Sequence, residues 1–381
     1  DNGTVNSISY DLSEYEFHRI DVSSGKDVGG LFGVLKNTST SSTTVAVSGK
    51  TTGAITTNVT SEVTNLGGLI GAYDTVASTV ENSAAVMKNT LAIKGTSNFA
   101  GSDIGAVSTG GSKANTTYGG VIGAVSGSSY VEIENVSASI ADMKNSNTTS
   151  VGGLVGKLTG ETTIDGCQVY LSRAKGQLNG KKETDIWIDG AVSGGLVGDA
   201  GNNNLTVENS LAATVINGTE KVGGLIGYVA DNIWLVDIQN SYADCYLSSN
   251  LTNGCTGGLI GDSDTSVGVA TRPINLLNCY AAGFLKGKTT AGFSTGTLYN
   301  IENCYSACVP LDADKLTYET SSNSGIGNGA KVERVYYLGE TENPATTIGT
   351  PINYSKLNAP NADTLFASGS SNAFTRQNSD T

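Results

Sequence analysis

The sequence has few of the residues on which common catalytic sites depend. It contains one histidine, five prolines and only 15% charged residues among 381. A zinc peptidase of the His-Glu-x-x-His type needs two histidines on one helix, and His18 stands alone. A Ser-His-Asp triad would also have to use that residue. We therefore predict no catalytic residues, no obligatory cofactor and no enzymatic activity.

Basic residues are scarce as well. There are 22 Lys and Arg against 35 Asp and Glu, which gives a formal net charge of −13. The sequence has no cluster of Lys and Arg that could bind the phosphates of a nucleic acid, so nucleic acid is not a predicted partner. The sequence also lacks an apolar run of about 18 residues, so we predict no membrane insertion of this segment.

Glycine, in contrast, is abundant, with 50 residues, and much of it belongs to one repeated pentapeptide. The pattern is Gly-Gly, then two apolar residues, then Gly. Copies are 29 to 52 residues apart, and an altered eighth copy begins at Ala291. The complete copies begin at Gly29, Gly67, Gly119, Gly152, Gly194, Gly223 and Gly257.

A second motif accompanies the first, in a fixed order along the chain. It consists of an apolar residue, usually an acidic residue or Gln, then Asn or Gly, then typically Ser or Cys. Its copies begin at Val80, Ile133, Ile164, Val207, Ile238 and Ile301, with a shortened copy at Leu277. Such regular recurrence is typical of a repeat protein.

Each repeat offers short apolar stretches of four to seven residues bounded by Gly, Asn, Ser and Thr, which are strand and turn signals. A unit of this size cannot bury its own inner face, whereas stacked units bury a continuous core. We predict an all-β parallel β-helix, or β-solenoid, of about eight rungs. Where rungs stack, the Asn of the second motif should form an amide ladder, and Tyr242, Tyr280, Tyr305 and Tyr336 an aromatic ladder. The glycines should supply a positive φ or a close backbone approach.

The paired motifs resemble the GLUG repeat of bacterial and archaeal cell-surface proteins. Gly-Gly-Leu-Ile/Val-Gly followed by Ile-Glu-Asn-Cys/Ser carries the likeness, which covers roughly residues 28 to 310. The resemblance implies a right-handed β-helix that is secreted or attached to the cell surface, often as a module of an adhesin-like protein. The uneven repeat spacing implies loop insertions between some rungs.

Composition changes near both ends of the repeat region. Residues 1–27 lack the Gly pair and all five prolines follow residue 272. We predict an N-terminal cap at 1–27, the repeat region at 28–310, a C-terminal cap at 311–365 and a polar tail or linker at 366–381. End caps are expected because an open solenoid exposes its core.

Two tryptophans are the sequence-based candidates for ligand binding. Trp187 and Trp234 both lie in segments inserted between motifs and are flanked by acidic or amide residues, a combination that suits sugar binding. Packing of these insertions against the solenoid is the alternative explanation.

A weak metal-binding signal occurs at Asp262 and Asp264. Their Asp-x-Asp spacing is that of a calcium loop, but the Gly and distal Glu of an EF-hand are missing, so calcium is only an option and solvated turn residues are the alternative.

The cysteines allow two disulfides. Cys279 and Cys304 share one slot of adjacent repeats and could bridge, and Cys245 and Cys255 could join across a turn. Cys245 and Cys308 should lie two rungs apart, too far to bridge. The alternative is that these are small buried residues interchangeable with Ser.

N-glycosylation sequons form a further set of candidate sites, provided that the host cell makes N-glycans. The candidate acceptors are Asn37, Asn58, Asn115, Asn147, Asn204, Asn217 and Asn250. Asn135 also lies in a sequon, but as a ladder residue it should remain unmodified.

These observations favour a non-catalytic module that is extracellular and displayed on the cell surface. Its expected partner is a host or cell-surface glycan or protein, bound by a rigid face of the solenoid. One alternative is a structural spacer or filament subunit that self-associates. Another is a carbohydrate-active β-helix enzyme, which would need carboxylates gathered on one face.

Overall fold

The fold was analysed in a computed structural model. It describes residues 7–11, 20–37, 43–48, 55–75, 89–95, 117–127, 130–140, 143–144, 150–171, 188–201, 203–250, 252–311, 323–324, 328–338, 350–352, 367–368 and 371–372. Within these ranges the regular structure is β-strand, and no helix is long and apolar enough to cross a membrane.

The strands of the first half of the chain are short. They are β1 (Ser7–Asp11), β2 (Ile20–Gly29), β3 (Phe32–Asn37), β4 (Thr43–Ser48), β5 (Ile55–Gly67), β6 (Ile70–Thr75), β7 (Asn89–Lys94), β8 (Thr117–Gly119), β9 (Ile122–Ser126), β10 (Tyr130–Glu134), β11 (Ser137–Ile140), β12 (Met143–Lys144), β13 (Ser150–Gly152), β14 (Val155–Leu158), β15 (Glu161–Asp165), β16 (Gln168–Leu171) and β17 (Ile188–Asp189).

The second half continues the same pattern. Its strands are β18 (Val192–Gly194), β19 (Val197–Ala200), β20 (Asn203–Glu208), β21 (Leu211–Ala213), β22 (Val215–Asn217), β23 (Lys221–Gly223), β24 (Ile226–Val229), β25 (Ile233–Gln239), β26 (Tyr242–Ser248), β27 (Cys255–Gly257), β28 (Ile260–Ser263), β29 (Ile274–Leu277), β30 (Tyr280–Lys286), β31 (Thr289–Ala291), β32 (Thr297–Pro310), β33 (Asn323–Ser324), β34 (Asn328–Leu338), β35 (Thr350–Ile352), β36 (Ala367–Ser368) and β37 (Ser371–Asn372).

Three parallel sheets are built from these strands. Sheet 2 has the strand order β2-β5-β8-β13-β18-β23-β27-β31-β33, and its first seven strands end at the first Gly of the pentapeptide. Sheet 3 contains the strands that follow the Gly pair, in the order β3-β6-β9-β14-β19-β24-β28. Sheet 1 contains 19 strands, among them those of the second motif and the strands that follow its bend. The chain thus visits sheets 2, 3 and 1 in turn, which is consistent with the predicted β-solenoid.

The glycines of the pentapeptide form a column in sheet 2. Each first Gly pairs with the first Gly of the next repeat, for example Gly152 with Gly194 and Gly194 with Gly223. None of the pentapeptide glycines is among the residues with positive φ. A Cβ at Gly195 would collide with the carbonyl oxygen of Gly224 and lie 2.5 Å from the Cβ of Ala212. Of the two roles predicted for glycine, close backbone approach is therefore the one that applies.

The left-handed conformation occurs at the second motif instead. Asn135, Asn209, Asn240, Asn278 and Asn303 have φ between 48° and 54°. Asn is among the few non-glycine residues that adopt this conformation readily. Gly166 takes the equivalent position in its repeat with φ 62°. Four of these Asn residues therefore form a bend between two strands of sheet 1, and Asn303 takes the same conformation within the long strand β32.

The amides of Asn209, Asn240, Asn278 and Asn303 form the predicted ladder, whereas Asn135 is next to Gly166, which has no side chain to continue it. Asn303 Nδ2 donates to Asn278 Oδ1 at 3.1 Å, Asn278 donates to Asn240 at 3.0 Å, and Asn240 donates to Asn209 at 3.3 Å. Asn209 donates in turn to Asp165 Oδ1 at 2.8 Å. At the other end, Arg334 Nε donates to Asn303 Oδ1. Asn82, which was expected to belong to this ladder, lies outside the described residues.

One continuous hydrophobic core lies inside the sheets and extends from Val45 to Tyr337. The pentapeptide contributes its two apolar residues in each repeat, and Leu154, Val155, Leu225 and Ile226 are all fully buried. Burial alternates along the strands of sheet 1, as in β15 and β20, so every second side chain faces outward. The outward side chains are the ones available for contacts with other molecules.

The described strands in both predicted caps continue the same sheets. β1 pairs with β4 and β2 with β5, both in parallel. At the other end β34 pairs with β32 and β35 with β34, again in parallel. Only β36 and β37, in the predicted polar tail, form an antiparallel pair. His18 lies outside the described residues.

Candidate binding face

The strands of sheet 1 that follow the Asn bend carry an outward row of aromatic residues. Tyr242 pairs with Tyr280, and Tyr280 pairs with Tyr305. The ring centroids are 4.5 Å and 5.2 Å apart and both interplanar angles are 8°, so the three rings are stacked. Tyr336 is in register with Tyr305. The predicted tyrosine ladder is therefore confirmed for the first three residues, and Tyr336 occupies the predicted register position.

Two further outward rows run beside the tyrosines. Four residues beyond Tyr242 and Tyr280 along the strands, Tyr246 and Phe284 are paired, with centroids 6.3 Å apart and planes tilted by 50°. Their exposed fractions, 40% and 44%, are high for aromatic residues. Between the two rows lie the small side chains of Ala282 and Ala307 and the exposed carboxylate of Asp244.

We call this surface the aromatic face. It comprises three rows of four outward residues, eleven of them apolar or aromatic. The face is made up of Leu211, Tyr242, Tyr280 and Tyr305; Ala213, Asp244, Ala282 and Ala307; and Val215, Tyr246, Phe284 and Val309.

The phenols of the tyrosine row are held in the protonated form. Burial, followed by the charge of Asp244, raises the pKa of Tyr242 and of Tyr305. Burial also raises the pKa of Tyr280, and the neighbouring phenols and Asp244 add to the effect. At neutral pH each of these residues therefore carries a hydroxyl, and the hydroxyls of Tyr242 and Tyr280 hydrogen-bond to each other.

Trp234 lies on a different part of sheet 1. It occupies a β-bulge, because Asn203 pairs with Ile233 but Asn204 pairs with Leu235. The bulge leaves the indole 62% exposed, and the Arg272 guanidinium carbon lies 5.9 Å from the ring centroid. Arg272 also donates to the backbone oxygen of Asp231. Trp187 lies outside the described residues.

Asp262 and Asp264 occur at the end of sheet 3. The register places Lys157, Asp199, Tyr228 and Asp262 in one outward row, so carboxylates alternate with other residues. Lys157 and Asp199 form an ion pair at 3.2 Å. The Ser266 backbone N–H, 2.9 Å from Asp264 Oδ1, holds the pKa of Asp264 below its ordinary value. No group of three or more potential metal ligands occurs among the described residues.

Tyr228 is the residue most affected by these carboxylates. Burial and the nearby charges of Asp264, Asp262, Asp199 and Asp231 raise its pKa to about 12. Lys221 Nζ lies 3.2 Å from the ring centroid of Tyr228 and compensates part of this negative charge.

All six cysteines are free thiols in the structure, so neither suggested disulfide is formed there. Cys279 and Cys304 do occupy the same slot of adjacent repeats, and the backbone N–H of Cys279 donates to Cys304 Sγ at 3.3 Å. Cys167 N–H donates to Ser210 Oγ at 3.0 Å in the same way. Both residue types also donate to the carbonyl two residues earlier, as Cys304 does to Glu302. Ser and Cys therefore fill one structural role in this slot.

The other cysteine positions agree with the predicted register. Cys245 pairs with Gly283, and Gly283 pairs with Cys308, so two strand spacings separate Cys245 from Cys308. Cys255 is half-buried at the start of β27.

The sequons differ in accessibility. Asn217 and Asn250 are exposed, and Asn204 is partly exposed. Asn37 is 8% exposed and its amide donates to Thr43 Oγ1 at 2.8 Å, so its burial makes it unsuitable as a glycan acceptor in the folded chain. The side chain of Asn58 and the residues Asn115 and Asn147 lie outside the described part of the chain.

Sequence reasoning missed two outward arrangements. One is the pairing of Tyr246 with Phe284. The other is a column of carboxylates, in which Glu134 pairs with Asp165 and Asp165 with Glu208. The signal for the column was present in the acidic second position of the second motif, but its significance depends on the register.

Comparisons with protein-family models, with curated proteins and with solved structures gave no match for this chain.

Proposed function

We propose that this chain is a non-catalytic module of an extracellular, adhesin-like surface protein that binds its partner through a rigid face. In this proposal it is a right-handed β-solenoid of about eight rungs. The stacking of parallel sheets and the resemblance of the paired motifs to the GLUG repeat support this assignment. The partner is a glycan or a protein on a cell or in the surrounding matrix.

The observation that carries the proposal is the aromatic face. Eleven of its twelve residues are apolar or aromatic, although the chain as a whole has only 38% hydrophobic residues and a mean hydropathy of −0.09. Tyr246 and Phe284 are its exposed aromatic residues, and the other nine apolar residues are partly exposed. Adjacent apolar side chains that remain accessible to solvent are a mark of an interaction site.

The face is also ordered before any ligand arrives. The stacked tyrosines fix their own rings, and the strands beneath them are joined by the asparagine ladder at one end. Binding to such a surface loses little side-chain entropy, because the side chains are already restricted.

The proposal can be tested by the retention of beads coated with the full chain on cells, matrix proteins, glycoproteins and polysaccharides. We expect retention on at least one surface and a reduction of at least about fivefold when Tyr246 and Phe284 are both replaced by Ser. Val34→Ser is the matched control, because Val34 is a 50% exposed apolar residue on sheet 3. Its retention should equal that of the unchanged chain.

Three results would contradict the proposal. Absence of retention on every surface would remove the binding role. Assembly of the chain into regular fibres under the same conditions would favour the spacer or filament role. Release of sugar products from the polysaccharides would show that the module is an enzyme.

A further inference from the structure

We propose that the aromatic face binds a neutral oligosaccharide that lies along the stacking direction of β21, β26, β30 and β32. The inference rests on the proposed binding function and specifies its ligand class and its site. It is carried by the chemistry of the three rows, the size of the face and its charge.

The two aromatic rows present different surfaces. In the tyrosine row the rings are stacked at 8°, so their faces cover one another and their edges and hydroxyl groups border the site. Tyr246 and Phe284 are tilted by 50° and their centroids are 6.3 Å apart, which leaves ring surface exposed. Sugar rings have an apolar C–H face and polar hydroxyl groups at the edge. The exposed rings fit the C–H faces, and the phenols fit the hydroxyls.

The middle row gives the ligand room and one strong hydrogen-bond acceptor. Ala282 and Ala307 are small, so the surface between the aromatic rows is shallow. Asp244 is exposed on the neighbouring strand and in the same row. A carboxylate that accepts hydrogen bonds from two adjacent hydroxyls is a common way to orient a saccharide, because charge-assisted hydrogen bonds are strong and directional.

The size of the face argues against a protein partner. The outer rows are four residues apart along each strand, or about 13 Å, and the four strands span about 14 Å. The outermost Cα positions of the face therefore enclose about 180 Å². A stable protein interface buries about 800 Å² on each partner. An oligosaccharide of a few units needs no more area than this face provides.

A second copy of the chain is also a poor fit. In a contact between two identical faces, Asp244 would be buried against residues that include no cation, because the face itself has none. Burial of an unpaired carboxylate is costly. A sugar, by comparison, brings hydroxyl donors to this carboxylate and leaves it partly in water.

The charge of the chain selects against acidic saccharides. The only ionised side chain of the face is a carboxylate, and the chain has a net charge of −13. An anionic ligand would be repelled by both. We therefore assign a neutral ligand, with hexose or N-acetylhexosamine units.

The inference can be tested by calorimetric titration of the full chain with neutral oligosaccharides of increasing length. The probes are the β-1,4-linked glucose, α-1,4-linked glucose and N-acetylglucosamine series, with oligogalacturonates as the acidic comparison. We expect at least one neutral series to bind, with an affinity that increases until the ligand spans the face. Tyr246→Ser with Phe284→Ser should weaken binding at least about tenfold, and Asp244→Asn several-fold.

Two variants keep this test independent of folding. Phe284→Tyr preserves the ring and should retain binding, whereas Val34→Ser changes an equally exposed residue elsewhere and should leave the affinity unchanged. Circular dichroism and thermal unfolding of each variant check that the sheets are intact. A well-folded double variant that binds as tightly as the unchanged chain would overturn the inference.

The remaining outcomes separate the inference from the proposed function. If no neutral series binds but the beads are still retained on a protein surface, the inference is wrong and the binding function stands. If binding is lost in Trp234→Ser and kept in the double variant, the site is the bulge and the inference is again wrong. If neither saccharides nor surfaces are bound, both are wrong. Preference for oligogalacturonates would overturn the neutral assignment.

Discussion

The pentapeptide glycines lie where the chain passes from sheet 2 to sheet 3, and we call this part of each repeat the glycine corner. The glycine corner and the aromatic face belong to the same repeats, but their sequences are constrained in opposite ways. At the corner between sheets 2 and 3 the same five-residue pattern recurs because the backbone of the next repeat occupies the space where a side chain would be. On the face the equivalent outward positions change from Gln168 to Leu211 to Tyr242 with no change in the strand pairing. The corner therefore encodes the fold, and the outward rows are free to encode the partner.

The largest effect is expected at the corner. In Gly195→Ala the added Cβ would collide with the carbonyl of Gly224, so two repeats would have to separate, and we expect a loss of about 3 kcal/mol or more in the free energy of unfolding. Gly201→Ala is the control, because its Cβ would approach no atom closer than 3.3 Å, the distance to Ala230 Cβ. Denaturant unfolding of both variants measures the difference. Equal stability of the two would show that the corner does not require glycine.

The second effect concerns thiols in the core. Burial raises the pKa of Cys167 and Cys308 to about 12 and that of Cys245 to about 11, from 9.0. Above pH 9 the unfolded chain releases these protons while the folded chain keeps them. Each thiol should therefore lower the stability by about 1.4 kcal/mol per pH unit until its folded pKa is reached. Below pH 9 these thiols are protonated in both the folded and the unfolded chain, so their full contribution to the free energy of unfolding is present there.

Cys167→Ser tests this directly, because Ser occupies the same slot at Ser210 and Ser241. The slope of stability against pH between 9 and 11 should be smaller in this variant, with little change at pH 7. Tyr242 and Tyr280, whose pKa is also raised from 10.0, lower the stability in the same pH range, but their contribution is equal in the two chains and cancels in the comparison. An unchanged slope would refute the assignment.

The third effect separates the two roles of the asparagine bend. Asn240→Ala removes the ladder amide and places Ala at φ 48°, which should cost about 2 kcal/mol. Asn240→Gly removes the amide but tolerates that φ, so we expect about half this loss. Thermal unfolding of the two variants gives the order. A larger loss in Asn240→Gly would mean that backbone conformation is not the main constraint.

The smallest effect on stability is expected on the aromatic face. Phe284 is 44% exposed, so Phe284→Ser should change the free energy of unfolding by less than about 1 kcal/mol while it weakens ligand binding. This result would sharpen the contrast with the corner. A loss as large as that of Gly195→Ala would show that the face is part of the folding core.

The fold could be predicted from the sequence to the extent that identical residues recur. Asn240 and Asn278 are recognisable as equivalent, and equivalence is enough to predict a ladder. The pairing of Phe284 with Tyr246 was not predicted, because neither residue belongs to a motif. It depends on counting strand residues from Tyr280 and Tyr242, which the bend places in register.

Other parts of the site depend on irregularities that no repeat records. The bulge at Trp234 adds one residue to β25 relative to β20, and only the register reveals that the indole is presented outward. Asp165 pairs with Glu208 only because the chain segment inserted between their two strands does not shift the register. Loop lengths differ between repeats, so neither feature followed from spacing alone.

The asparagine ladder has a direction, and its two ends are chemically different. Every amide must donate to one neighbour and accept from the other, so no amide can end the series with both of its groups paired. At one end Asp165 only accepts, and at the other the Arg334 guanidinium only donates, while its NH2 group pairs with Glu302 at 2.5 Å. The aligned side-chain dipoles thus run from a cation to an anion. A repeat duplicated between Asn209 and Asn303 would lengthen this series, whereas removal of Asp165 or Arg334 would leave one group of the terminal amide to pair with water instead. The interior of the ladder is therefore where a repeat can be added by design.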